Sequence, residues 1–421
     1  MTDKKIKILT ISDHPLSPSG VGTQTKYMIE GLLKTGRFEV ISLGGAIKHQ
    51  NYQPVRTEEW GEAWTIYPVD GYGSQDTVRS IIRNERPDIL WFMTDPRFYG
   101  WLWQMEDEIR PLIPMVYYHV WDNHPAPTYN RALYDSTDLI VTISKLTDEI
   151  TKIVANKAEV IYHPHAVNTD IFKKLEEKDI ASFREASFAT SKNKEKTVFF
   201  WNNRNARRKQ SGTLIFWFKE FLDRVGHDNA CLIMHTDPRD KHGQNLELII
   251  KDLGLDNGQV QISREKVSSS ALAHLYNLAS CTINIADAEG FGLATLESLA
   301  CETPIVVTMT GGLQEQVTDG ENWFGIGIEP SSKAVIGSQE IPWIYEDRIN
   351  KGDFINALEK IYNLSKEENV EMGQAGRAHV MKNYSFKQYQ DGWDRILTEV
   401  NEKHGSWDTR ENYKSWRTEE L

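Results

Sequence analysis

The chain has 421 residues, more than one ordinary hydrophobic core accommodates, so two domains are the default expectation. Apolar residues make up 40% and charged residues 26%, a globular balance that excludes a largely disordered polymer. A formal net charge of −12 argues against polyanion binding as the main task, and no run of about 18 apolar residues supplies a membrane span.

In chain order, strand-like runs at 6–11, 38–43, 89–93, 115–119 and 139–143 alternate with helical patterns such as 23–34 and 75–86. The first run is too short for a signal-peptide core and reads as a strand. Strand, helix, strand implies right-handed parallel crossovers and a doubly wound sheet. Residues 173–196 are rich in Lys, Glu and Ser and carry no strand signal. The alternation then restarts with strands at 197–201, 231–236, 260–263, 281–285 and 304–308, separated by helices at 211–225, 268–279 and 292–300. Helices at 351–364, 367–383 and 386–402 close the chain, and the polar tail from His404 carries Trp407 and Trp416, which either dock or fray. Cys231, Cys281 and Cys301 have neither a disulfide nor a zinc spacing, so they read as buried thiols in a reducing cytoplasm. The expected fold class is α/β, with two Rossmann-like doubly wound parallel sheets facing across a cleft. Ligands in such sheets bind beyond the C-terminal ends of the strands, so the loops after strands carry the information.

The richest of these loops is Ala288-Glu289-Gly290-Phe291-Gly292-Leu293, which follows the run 281–285 and opens a helix containing Glu297. Glycines let backbone approach a ligand, and a helix N-terminus offers unpaired N–H groups to an anion. Glu289 and Glu297 lie eight positions apart, about 12 Å if the interval were helical, so two carboxylates can each accept paired bonds from vicinal hydroxyls. The plain alternative is a surface helix with an acidic first turn. With its flanking glycines, the strand before it and Pro304-Ile305-Val306-Val307 after it, this segment resembles the Glu-x7-Glu motif of the two-domain GT-B glycosyltransferases of family 4. Residues 311–320, beginning Gly311-Gly312-Leu313-Gln314-Glu315, are similar to that family's Gly-Gly-x-x-Glu loop.

The resemblance assigns further residues. Arg204 and Lys209, after the run 197–201, match the family's Arg and Lys five positions apart that hold the donor diphosphate, although Asn203-Arg204-Asn205 replaces the usual Gly-Arg-Leu and Arg207 and Arg208 compete. Fixed cations there stabilise the charge that grows on a departing nucleoside diphosphate. Gly20 and Gly22, between the first strand and first helix, stand where the family has a glycine loop; the third glycine of a dinucleotide fingerprint is absent. His119, ending the run 115–119, matches a histidine that contacts the transferring sugar; His124 competes with it, and Asp122 is an acceptor-side candidate. Residues 162–172 are similar to the interdomain segment, with His165-Ala166 replacing Asn-Gly and Asn168 replacing an Asp. The aromatic run 98–103 either packs in the core or stacks on a sugar.

The resemblance therefore implies a cytoplasmic retaining transferase that moves a sugar from a nucleotide-diphosphate sugar to a hydroxyl acceptor, with no metal and no other cofactor. No Asp-x-Asp motif occurs in the chain. Its implied domains are 1–170 on the acceptor side, 171–385 on the donor side, and a terminal helix and tail, 386–421, that packs back on the first. Glu289 would hold the hexose, Glu297 the ribose, and Phe291, Gly292 and Leu293 the turn whose backbone meets the phosphates. His119, Arg204, Lys209 and Glu289 form the catalytic set, with Gly20, Gly22 and Asp122 completing the substrate-binding one. The acceptor is left open among glycans and growing polysaccharides, lipid-linked glycans, small metabolites and a hydroxylated nucleobase in DNA, with a carbohydrate the first expectation, and oligomeric state is unread. A catalytically silent nucleotide-sugar-binding protein, an epimerase or phosphorylase on the same fold, and a Rossmann oxidoreductase are the competing classes.

Overall fold

The computed structural model describes residues 4–191 and 193–413. Two compact units result, one formed by Met1–His165, Ser338–Pro342 and Phe386–Leu421, the other by Ala166–Gly337 and Trp343–Ser385.

The first unit holds seven parallel strands: β1 (Ile6–Asp13), β2 (Phe38–Gly45), β3 (Trp64–Pro68), β4 (Ile89–Met93), β5 (Met115–His119), β6 (Leu139–Thr142) and β7 (Glu159–Tyr162). Their order in the sheet is β3-β2-β1-β4-β5-β6-β7. Central strands such as Ile-Leu-Trp-Phe-Met in β4 are buried along their whole length, as helices on both faces of a parallel sheet require. Two strands of this sheet are absent from the sequence reading, β3 and β7, and both are its edges: β3 is short and ends in Pro68, and β7 is half exposed.

The second unit repeats the plan with β8 (Thr197–Asn202), β9 (Ala230–His235), β10 (Val260–Ser263), β11 (Cys281–Asn284), β12 (Ile305–Thr308) and β13 (Gly325–Ile328), in the order β10-β9-β8-β11-β12-β13. Phe199, Trp201, Phe218, Phe221 and Phe354 are fully buried in its core. Beyond the sheet lies an antiparallel hairpin that the sequence reading did not contain, β14 (Ser332–Ile336) and β15 (Ile344–Arg348). The polar stretch after residue 173 contains a helix, Glu177–Ser187. Cys231, Cys281 and Cys301 are free and buried. Among the described residues no helix is long and apolar enough to cross a membrane.

Helix Phe386–His404 belongs to the first unit and packs against helix Gly20–Lys34. A Cβ on Gly31 would stand 2.7 Å from that of Gln390, so this contact needs glycine. Trp393 is fully buried, its ring 4.8 Å from Tyr118, 5.3 Å from His163 and 5.7 Å from Trp91. The tail continues the docking: Trp407 donates Nε1–H to the Pro87 carbonyl at 2.9 Å beneath the Arg86 guanidinium, 3.9 Å from the ring centroid. Of the two tail tryptophans, Trp416 lies outside the described residues. Replacing Trp393 by Ala removes a large buried ring that the packed sheet cannot refill, so a loss of about 3–5 kcal/mol is expected in urea unfolding of the first unit. An unchanged midpoint would show that the helix contributes nothing to this unit.

Candidate functional site

In both sheets the strand order reverses beside the first strand, between β1 and β4 and between β8 and β11. Loops leaving two such neighbours run to opposite sides and open a crevice at the strands' C-terminal ends. In the second unit β8 and β11 pair directly, Phe199 with Cys281 and Phe200 with Thr282. Residues 203–210 follow β8 and residues 285–292 follow β11, so the two loops singled out by the sequence meet at one switch point.

Their meeting is an ion pair between Lys209 and Glu289, whose side chains are only 8% and 12% exposed. Asn284, the last residue of β11, donates Nδ2–H to the same carboxylate at 3.1 Å. Burial pushes the Glu289 pKa up, but the Lys209 and Arg208 charges and the bonds from Lys209 and Asn284 outweigh it, leaving it below the ordinary value. Glu289 is therefore a fixed carboxylate at neutral pH. Its backbone is equally constrained. Gly312 donates N–H to the Glu289 carbonyl at 3.1 Å, and a Cβ on Gly311, which sits at φ +51°, would fall 1.7 Å from that oxygen.

Gly292 caps helix Leu293–Ala300 at φ +92°, where a side chain would strike Leu313 and Thr295. Leu293, the helix's first residue, is partly accessible. Phe291 contributes its backbone to this turn and its ring to the core. Its side chain is buried edge-on against Tyr384, and its carbonyl accepts from Gln316 Nε2 at 2.7 Å, so the ring anchors the loop and does not face a ligand. Further along the helix, Glu297 Oε2 accepts from the Tyr276 hydroxyl at 2.7 Å, and that oxygen accepts from Asn202 Nδ2 at 2.9 Å. Burial raises the Glu297 pKa to about 7 despite the Tyr276 bond. Two carboxylates on one loop and helix thus have opposite shifts: Glu289 has a cation and Glu297 has none to offset its burial.

Arg204 does not join the Lys209 pair. It turns onto Asp240, with bonds of 2.6 and 3.2 Å, and its side chain stays 60% exposed. Arg207 makes a bidentate pair with Glu346 at 2.9 and 2.6 Å, and Arg208 bonds the Ala288 carbonyl. Asn202, Tyr276, Asn284 and Glu346 were missed from the sequence. Each acts through a fold contact with no spacing to announce it, though Asn202 and Asn284 both end strands of the switch point.

The first unit carries the remaining candidates. His119 is fully buried, its Nε2 2.6 Å from the Tyr134 hydroxyl and its Nδ1 3.1 Å from that of Tyr117. Desolvation pushes its pKa down to about 3. His119, expected to face a substrate, has both ring nitrogens bonded to tyrosine hydroxyls in the core. His124 and Asp122 are half-buried in the loop after β5. Gly20 is exposed at the start of its helix, whereas Gly22 serves the turn itself, since its N–H goes to Ser19 Oγ and a Cβ would lie 2.7 Å from His14 O and Ser17 Oγ. Of the aromatic run, Tyr99, Leu102 and Trp103 are buried and Phe98 is exposed.

Residues 182–379 match the family model described as Glycosyl transferases group 1. This stretch of the chain, just under half of it, is similar to that family. That range contains Arg204, Lys209, Glu289 and Glu297. Among curated relatives, D-inositol 3-phosphate glycosyltransferase of Paenarthrobacter aurescens is 30% identical over 152 residues, covering 36% of this chain and 29% of that protein. N-acetyl-alpha-D-glucosaminyl L-malate synthase of Bacillus anthracis is 21% identical over 122 residues, covering 29% and 30%. The chain thus spans less than a third of the length of these relatives. Solved structures match over nearly everything. Sucrose-phosphate synthase from Thermosynechococcus elongatus has a TM-score of 0.75 at 14% identity, covering 95% of this chain and all of that one. Anabaena Alr3699/HepE in complex with UDP and glucose gives 0.68 at 14% identity, covering 93% and 99%. The architecture is the GT-B fold.

Gly311→Ala tests how tightly the second unit holds Glu289. A methyl there meets both a left-handed backbone and the Glu289 carbonyl, while Gly320, at φ +98°, has open space around it. Gly320→Ala is expected to cost roughly 1–2 kcal/mol for the backbone alone, and Gly311→Ala clearly more in thermal unfolding. Equal losses would mean that the turn does not press on Glu289.

Proposed function

We propose that the protein is a retaining, metal-independent glycosyltransferase that passes a sugar from a nucleotide-diphosphate sugar to a hydroxyl acceptor. The observation that carries this reading is the buried Lys209–Glu289 pair beside the Gly292 helix start, with Glu297 about one turn into that helix. Lys209 supplies fixed positive charge where the diphosphate departs, and the helix start supplies N–H groups to the same anion. An entering diphosphate competes with Glu289 for the ammonium and turns the carboxylate toward the sugar hydroxyls. Arg204, on the same loop as Lys209, exposed and held by Asp240 from the loop after β9, is the second cation. In the transfer, the bond from the anomeric carbon to the phosphate oxygen breaks as the bond to the acceptor oxygen forms on the same face. The acceptor's proton passes to the leaving diphosphate. No protein nucleophile takes part in this scheme.

Glu297 fits the ribose. Accepting two more hydroxyl donors beside Tyr276 favours the ionised form, and Tyr276, itself bonded by Asn202, holds that carboxylate in place. A nucleotide is the ligand class that places a diol and a diphosphate at opposite ends, and the UDP complexes of Alr3699/HepE make uridine sugars the first donors to try.

Two measurements test this reading. Thermal stabilisation is to be read against UDP-, GDP-, ADP- and TDP-sugars without metal; a ligand at 100 times its dissociation constant adds about 2.7 kcal/mol. A shift with one nucleotide supports the reading, and none with any of them opposes it. With that donor, pH then discriminates. A carboxyl at about 7 in the free protein must lose its proton on binding, so affinity is expected to rise about ten-fold from pH 6 to pH 8 and level off above. Glu297→Gln should bind weakly and lose this slope. A pH-independent wild-type affinity would remove Glu297 from the ribose.

A further inference from the structure

The hairpin β14–β15 belongs to neither sheet, yet its last three residues converge on the switch point. Asp287, two residues before Glu289, is 3% exposed and receives bonds from three directions. The Arg348 guanidinium pairs with its carboxylate, Gln210 donates Nε2–H to Oδ2 at 2.6 Å, and Asp347 donates its backbone N–H to the Asp287 carbonyl at 2.8 Å. Asp287 in turn donates its own N–H to the Arg208 carbonyl at 2.8 Å. Arg348 also bonds Glu346 at 2.9 Å, and Glu346, whose side chain is 2% exposed, holds Arg207. The residues on either side of Lys209 and those just before Glu289 are therefore tied to each other and to the hairpin.

Gln210 makes the tie informative. It is a non-glycine residue in the left-handed region, at φ +56° and ψ +32°, a conformation that costs on the order of 1 kcal/mol or more. Its side chain is fixed at both ends, by Asp287 and by the Thr213 hydroxyl, which donates to Oε1 at 2.6 Å. That strained turn sets the direction in which the neighbouring Lys209 leaves the backbone.

We propose that the hairpin β14–β15 is a positioning element of the donor site, in which Arg348, bridging Asp287 and Glu346, holds Lys209 and Glu289 in the geometry that receives the diphosphate. Arg348 touches no substrate and acts through Asp287 and Gln210. A guanidinium reaches two carboxylates at once, and an ammonium on a flexible stem holds one point. The same bridge keeps Arg207 paired with Glu346, so the hairpin also sets which cations of the loop the donor meets. The proposal rests on the donor reading above, and the wild-type protein separates the two: if it binds no nucleotide sugar, that reading has failed, whatever the hairpin does.

The test uses Arg348→Ala, Arg348→Lys and, as a hairpin control, Val335→Ser at a position 65% exposed. Donor KM, kcat and dissociation constant are measured on the full chain and normalised to folded protein. Misplacing the cation by a fraction of an ångström should lower kcat/KM for the donor on the order of ten- to hundred-fold in Arg348→Ala. Arg348→Lys should fall between it and wild type, and Val335→Ser should match wild type. KM for the acceptor should not move. A role confined to stability lowers the melting temperature and leaves the folded fraction's donor KM and kcat unchanged, which would overturn the proposal. Should Arg348→Ala not fold, Arg348→Lys carries the test alone, with unchanged donor KM and kcat as the contradicting result.

Discussion

An ammonium and a carboxylate, nearly withdrawn from water where two parallel strands part, are the constraint around which the second unit is arranged. Lys209 and Glu289 lie 80 residues apart in sequence and meet only because β8 and β11 are neighbours at the reversal of strand order. Burying two charges is expensive, and attraction compensates only with good geometry and further hydrogen bonds. The surroundings supply both: Asn284 bonds the carboxylate, Gly311 and Gly312 close on its backbone, and Arg348 with Asp287 ties the two loops. So much reinforcement around one ion pair is hard to account for by stability alone, because an apolar pair of similar volume often serves stability as well. It is accounted for if the site must present a fixed charge to an anion.

The same principle organises the other cations of the loop. Arg204 rests on Asp240, Arg207 on Glu346, and Lys209 on Glu289. Each of these three cations has a carboxylate partner, whereas Arg208 bonds the Ala288 carbonyl; under the proposed reading a diphosphate would enter by exchange of one anion for another. Glu297 is the contrasting case. It is buried without a cation and has a pKa near neutrality, and a neutral diol that donates hydrogen bonds suits it better than a charged group.

Much of the fold was legible because central parallel strands are apolar along their length, and runs such as β4 and β5 announce themselves. Edge strands β3, β7 and the glycine-containing β13, and the hairpin β14–β15, have no such signature and were missed. At the site, the paired glutamates and Lys209 were visible as spacing after a strand, and the structure brings Lys209 and Glu289 into contact. Arg204 was visible in the same way but rests on Asp240. Spacing gave no hint of the partners Tyr276, Asn284 and Asp287, whose roles arise from tertiary contacts. His119 and Phe291 show the converse: a polar or aromatic residue at a strand end or in a loop reads as functional from the sequence, while its packing is visible only in the fold, where tyrosines meet both nitrogens of one and the ring of the other.

A double-mutant cycle on Lys209→Met and Glu289→Gln, read as donor binding by calorimetry, tests the central claim most directly. If the pair forms one unit that the diphosphate must engage, each single variant weakens binding and the double variant is little worse than the weaker single. The coupling energy should then lie between about 1 and 3 kcal/mol. Losses that add to within about 0.5 kcal/mol would mean that the two residues act independently, and the switch-point pair would not be the core of the donor site.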